Sequence, residues 1–211
     1  MAISEVAICN NALAMLGANS IRSFDEDNKR ARLCKNLYEV TRDLLLRSYD
    51  WPFARGFANL QQLDTEDVDK PEGMNVFVLP ADCLRARDVH PRGSHTPWDV
   101  AGNYVFSPLS SIGLYYTRKE VSTTAFSSTF SSALALTLAY KLAPSLTQDS
   151  SLARALFEQV KMDVPEMAAV DANEGNDYVP FDTNPDYDPF VTGVKYGPIS
   201  AIQDTEAEDA R

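Results

Sequence analysis

The stretch RSYDWPFARGFANL, residues 47–60, marks the point where a long helical pattern ends. Trp51 is one of two tryptophans in the chain, and Pro52 follows it directly. A residue that precedes proline avoids the helical region of the backbone, so the helix should end here. We predict that Trp51, Pro52 and Phe53 pack at a structural corner of the fold. Contact with a partner and a small-molecule pocket stay open as alternatives.

Two helical patterns precede this corner. Ser4 is a typical N-cap and Gly17 a typical residue after a helix end, which predicts a first helix over about 4–16. Asp25 or Asp27 is predicted to cap a second helix over about 28–49. The apolar spacing predicts that its buried side carries Cys34, Leu37, Thr41, Leu44 and Ser48, widened by Leu33, Val40 and Leu45.

After the corner the apolar period changes from helical to two, which predicts a strand block over about 74–117. Gly102-Asn103 is a two-residue turn signal and predicts a hairpin. Helical spacing then returns over about 128–146 and 149–171. Pro144 is expected to end or kink the third helix, and Pro165 to kink or shorten the fourth.

These elements predict a mainly α fold with inserted β: an antiparallel helical bundle, a small β-sheet or hairpin block, and an extended C-terminal arm. We assign 1–172 to the body and 173–211 to the arm. The arm carries nine acids and two bases, yet it is richer in aromatics than ordinary disordered tails. The residues predicted to bind a partner are Tyr178, Phe181, Tyr187, Phe190 and Tyr196.

The net charge of −11 and the lack of a basic stripe argue against tight nucleic-acid binding. No apolar run is long enough for a membrane span, and the N-terminus lacks the basic flank of a signal peptide. We therefore expect synthesis in a cytoplasm and no membrane contact. The common nucleotide, serine-hydrolase and zinc-protease motifs are also missing from the sequence.

Two segments of the sequence are candidates for metal binding. His90 and His95 lie close together, with Cys83 as the nearest soft ligand, but we expect a solvated loop there. In the arm, an acidic run follows part of the calcium-loop spacing but lacks the required glycine and glutamate; its members are Asp182, Asn184, Asp186 and Asp188. Cys9 and Cys34 fall on apolar stripes and are expected to be buried free thiols. We predict no cofactor and no metal.

Three segments together carry a family resemblance. They are NNALAMLGANSIRSFDEDNKRARLCKNLYEVTRDLLLRSYDWPFA (10–54), LPADCLRARDVH (79–90) and FSSALALTLAYKLAPSLTQDSSLARALFEQV (130–160). In this order they resemble the tail tubular protein A family, the head-to-tail adaptors of short-tailed bacteriophages. The W-x-F-A motif at 51–54 and the L-P-x-D-x-L-R motif at 79–85 are fairly specific as a pair.

The resemblance implies a structural protein of the virion rather than an enzyme. It implies a dodecameric ring under the portal protein, joined to a tail nozzle similar to tail tubular protein B and neighbouring a tail fibre. DNA would pass through the ring without sequence-specific binding. The alternative function is a virion-associated glycan or peptidoglycan hydrolase, for which the sequence offers no residues.

Overall fold

The structure is a computed structural model that describes residues 3–63, 68–91, 97–119, 121–147 and 149–174. All of these belong to one unit, Met1–Tyr178. Its helices are α1 (Glu5–Met15), α2 (Lys29–Ser48), α3 (Ser128–Leu146) and α4 (Ser150–Glu174). Its strands are β1 (Arg55–Leu60), β2 (Gln62–Leu63), β3 (Asn75–Val78), β4 (Cys83–His90), β5 (Asp99–Ala101), β6 (Tyr104–Ser107) and β7 (Ile112–Arg118).

Local capping explains where α1 begins and ends and where α2 begins. The Ser4 side chain accepts a hydrogen bond from the Ala7 backbone N–H at 3.1 Å. Gly17 has a φ of +64°, and the following N–H of Ala18 returns to the Leu13 carbonyl at 2.9 Å, as in a Schellman motif. The predicted caps Asp25 and Asp27 are wrong. Asn28 caps α2 instead, because its side chain reaches the Ala31 N–H at 2.9 Å.

The helix α3 lies at the centre of the helical core and contacts α1, α2 and α4. Apolar and small residues cover nearly all of its circumference, as expected for a helix that is surrounded by others. Pro144 and Pro165 lie inside α3 and α4, so neither proline ends its helix. In α4 the buried side chains of Val164 and Ala168 keep both sides of the proline against the core.

The buried side of α2 differs from the predicted one. Val40 is 62 % exposed and Leu44 is 50 % exposed, whereas the buried side consists of Ala31, Cys34, Tyr38, Thr41, Leu45 and Leu46. Leucines occur on several sides of this helix, so the apolar spacing alone selected the wrong side. Two large apolar side chains are consequently left on its outer face.

The strands form two antiparallel sheets, ordered β1-β7-β4 and β2-β3-β6-β5. The predicted hairpin is present, with β5 and β6 joined at Gly102, whose φ is +59°. The predicted block, beginning near residue 74, missed β1 and β2. Gly56, Ala58 and Asn59 are poor strand formers, yet β1 pairs with β7 along its whole length.

Side chains from both sheets share a second hydrophobic core, separate from the helical one. Its buried members are Leu60, Phe77, Val89, Val105, Ile112, Leu114 and Tyr116. In the part of the chain that the structure describes, no helix has the length and apolar character needed to cross a bilayer.

Candidate functional site: the junction of helices and sheet

Trp51 lies inside the helical core, with 1 % of its surface exposed. Its indole N–H donates to the Leu45 carbonyl at 3.0 Å, near the end of α2. Its ring meets Phe130 of α3 edge-on at 4.9 Å between centroids. The side chain therefore joins the end of α2 to the beginning of α3, and its burial leaves no face of the ring for a partner or ligand.

Pro52 and Phe53 continue the corner. Pro52 opens a single 3₁₀ turn, Pro52–Ala54, which leads directly into β1. The ring of Phe53 packs against Phe126 at 5.5 Å and Phe130 at 5.0 Å. The predicted corner residues are thus brought together in one aromatic cluster, where the chain passes from the helical core to the first sheet.

Two arginines of β4 bind the C-terminal end of α2. The Arg87 guanidinium donates to the carbonyl oxygens of Leu46 at 3.3 Å, Arg47 at 3.4 Å and Tyr49. Arg85 donates to the Arg47 carbonyl at 3.1 Å. These carbonyls have no partner within the helix, and cations at a helix C-terminus are favoured by the helix dipole.

Arg87 is also held from the sheet side. Its Nε donates to the Thr117 hydroxyl of β7 at 2.8 Å, so the planar guanidinium bridges α2 and β7. Burial lowers the pKa of Arg87, whose ordinary value is far above neutrality, so the group remains a cation. The bridge therefore combines charge with fixed geometry.

The L-P-x-D-x-L-R segment supplies a second set of contacts at this junction. The Asp82 carboxylate accepts from the Tyr116 hydroxyl at 3.1 Å, and burial together with this bond raises the pKa of Tyr116. Leu84 packs against the helical core. Arg118 of β7 donates to the Phe53 carbonyl at 3.4 Å and ties the sheet to the aromatic corner.

An exposed aromatic patch lies on the first sheet, away from the junction. It consists of Phe57 of β1, His90 of β4 and Tyr115 of β7, with the Phe57 and Tyr115 rings 4.8 Å apart. Phe57 is 48 % exposed. Its ring covers Gly113, where an added Cβ would lie 2.5 Å from the Phe57 Cζ, so any larger residue there would require the Phe57 ring to shift.

The residues weighed for metal binding do not assemble in the described part of the chain. Cys83 and His90 are the first and last residues of β4, about 23 Å apart at strand spacing. His95 lies outside the described residues. Within the described ranges, no group of three His, Cys, Asp or Glu side chains is placed to hold a metal ion.

The cysteines lack the features of an activated nucleophile. Cys9 and Cys34 are buried, as predicted, and a hydrogen bond to Cys34 together with burial raises the pKa of Cys9. Burial raises the pKa of Cys83 to about 11. A reactive thiol requires both a lowered pKa and access to solvent. The hydrogen bond with Cys9 lowers the pKa of Cys34, but this side chain is fully buried, so the three cysteines are suited to packing.

Two shallow surface grooves lie elsewhere on the unit. One runs beside β1 and β2, between residues 58–63 and the end of β3. The other lies between the beginning of α3 and the outer side of α4, and is lined by Thr129, Asp163, Glu166, Met167 and Val170. Both open broadly to solvent.

The predicted arm and calcium-type residues all lie beyond the described ranges, so the structure gives them no position. The residues that sequence reasoning missed are Arg85, Arg87 and Arg118. Each binds a carbonyl that is roughly 40 or more positions away in the chain. The one local signal was the L-P-x-D-x-L-R segment, which contains Arg85 and lies just before Arg87.

No family model matches the chain, and no curated protein matches its sequence.

Proposed function

We propose that this protein is a head-to-tail adaptor of a phage virion. It would form a dodecameric ring between the portal protein and the tail nozzle, with a channel through which DNA passes. In this proposal the four helices form an antiparallel bundle. The arm predicted over 173–211 would follow the end of α4 at Glu174 and bind a partner, and the tail fibre is a further neighbour.

The observation that carries the proposal is the convergence of the resembling segments. The W-x-F-A motif, the L-P-x-D-x-L-R motif and the beginning of α3 are far apart in sequence, but all three reach the helical core at the junction with the sheet. Trp51 contacts Phe130 of α3, Leu84 packs against the same core, and Arg85 binds the end of α2. Residues that meet in the structure and also carry the resemblance form a single functional or structural unit.

The chemistry of the junction also suits a structural role. Arg87 donates to backbone carbonyls, Tyr116 donates to Asp82, and the aromatic rings are packed in the core. Such groups can fix the angle between two parts of a subunit. A ring component needs a fixed shape, because every copy must present the same surfaces at the same angle.

The direct test is cryo-electron microscopy of the virion that carries this protein. The expected result is a ring of copies between the portal and the nozzle. A single copy per virion, or a location away from the head-to-tail junction, would overturn the proposal. Binding of the purified chain to portal-bearing capsids from the same phage provides an independent measurement.

The competing hydrolase function has its own test. Purified protein would be incubated with peptidoglycan and with α- and β-glucans, and released sugars or peptides would be measured. We expect no turnover. Turnover that survives rigorous purification, and that disappears when Asp163 or Glu166 is changed to its amide without loss of fold, would favour the enzyme. Those two carboxylates are chosen because they share one surface groove.

A further inference from the structure

The outer face of α2 combines positive charge with exposed apolar side chains. At helical spacing it presents Arg32, Asn36, Val40, Leu44 and Arg47, all of them exposed. The whole helix carries six bases and two acids; Glu39 is exposed beside this face, and Asp43 is paired with Arg42 at 2.8 Å. Val40 and Leu44 lie between the two arginines, and the face extends for about 22 Å. An apolar centre flanked by cations is typical of a protein-binding surface.

The C-terminal half of α4 has the opposite charge and a similar apolar content. From Met162 to Val170 it contains two acids, Asp163 and Glu166, and no base. Met162 is 73 % exposed and Val170 is 49 % exposed. The groove beside them is lined by Asp163, Glu166 and Met167, in addition to Val170 and Thr129. Carboxylates beside apolar side chains suit an arginine or lysine of a partner. Its aliphatic stem can pack against the apolar side chains while its charged head group pairs with a carboxylate.

We propose that the outer face of α2 on one copy of this chain binds the acidic C-terminal half of α4 on the next copy. Both faces point away from the core and carry complementary charge, so the basic α2 face of one copy can pair with the acidic α4 face of a second copy. The two faces are unlike, so the contact is head-to-tail and closes into a ring when the rotation between copies allows. The inference rests on the proposed function in one respect, because it supplies the subunit contact of the proposed ring.

Charge reversal with mixing tests the contact. The α2 variant is Arg32→Glu with Arg47→Glu, and the α4 variant is Asp163→Lys with Glu166→Lys. Self-association of full-length protein is measured by sedimentation at increasing concentration, in low and high salt. We expect salt-sensitive association of the wild type, and about a tenfold or greater rise in Kd for each variant alone.

Mixing the two variants should restore association. The α2 variant presents two acidic faces and the α4 variant two basic faces, so copies can alternate with every contact restored. The matched control is Lys70→Glu with Arg154→Glu, which changes net charge as the α2 variant does but at exposed positions outside both proposed faces. The control should associate like the wild type, and thermal unfolding checks that each variant folds.

Four results would overturn the inference. They are a wild type that stays monomeric up to about 1 mM, variants that associate normally, a mixture that does not recover, and association that stops at a closed dimer. Loss of association on deletion of 175–211 would instead show that the arm makes the contact between copies, which also contradicts the proposed contact. If the virion shows a ring while the mixture fails, the adaptor function stands and this interface fails. If the mixture recovers but the virion lacks the ring, this interface stands and the adaptor function fails.

Discussion

Replacing Trp51 tests the structural interpretation of the corner most directly. The side chain is 1 % exposed and lies within the helical core between Leu45, Phe53 and Phe130. Trp51→Ala removes the whole ring from a site with an edge-on aromatic partner. We expect the free energy of unfolding to fall by about 3–5 kcal/mol, the range for a large buried aromatic truncated to alanine.

Trp51→Phe separates packing from hydrogen bonding. It keeps an aromatic ring but removes the indole N–H, which donates to the Leu45 carbonyl. That carbonyl also accepts from the Tyr49 N–H at 3.4 Å, so it keeps one partner. The expected loss is about 1–2 kcal/mol, from one hydrogen bond and a small change in volume.

Urea unfolding followed by far-ultraviolet circular dichroism measures both changes without relying on the tryptophan that is replaced. Phe57→Ala is the control, because Phe57 is an aromatic of the same segment but is half exposed, and it should lose less than about 1.5 kcal/mol. A loss below about 1 kcal/mol for Trp51→Ala would refute the packing interpretation. An unchanged melting temperature with lost portal binding would identify Trp51 as a contact residue.

Three further changes probe the fold and the arm. Arg87→Ala should lower the free energy of unfolding by about 2–3 kcal/mol, because it removes charged hydrogen bonds at the end of α2. Arg87→Lys should recover only part of this loss. Urea unfolding measures both changes. A backbone hydrogen bond from Arg22 lowers the pKa of Glu26. The ionised carboxylate therefore stabilises the folded state above about pH 4.5, and this contribution is lost as pH falls. Glu26→Gln should make the free energy of unfolding depend less on pH between about 7 and 3. Deletion of residues 175–211 should leave the melting temperature of the body unchanged but abolish attachment to portal-bearing capsids, and normal attachment would rule out the arm as the anchor.

The helices were predictable because their ends are encoded locally. Ser4 and Gly17 sit where a short-range hydrogen bond or a left-handed backbone conformation is required, and both act over a few residues. At the beginning of α2 the capping pattern led to a wrong prediction, because Asp25, Asp27 and Asn28 can all serve as an N-cap. Asn28 prevailed because its side chain reaches the free N–H of Ala31.

The first strand and the arginine contacts were not predictable for a common reason. β1 has weak strand propensity and exists because β7, more than 50 residues later, pairs with it. Arg87 gains its role from carbonyls about 40 residues earlier. Tertiary contact decides both, and a single sequence carries no local trace of such partners.

The polar contacts at the junction do more than satisfy the end of α2. Hydrophobic packing alone is only weakly directional, so two apolar cores could meet at several angles. The Arg87 guanidinium needs its helix carbonyls and the Thr117 hydroxyl at the same time, which selects one orientation of the sheet against the helices. The exposed patch around Phe57 and the outer face of α2 are therefore held at a set angle to each other. In a ring, an error in that angle would repeat at every copy and prevent closure, so the junction is where a substitution could disrupt assembly without touching an interface.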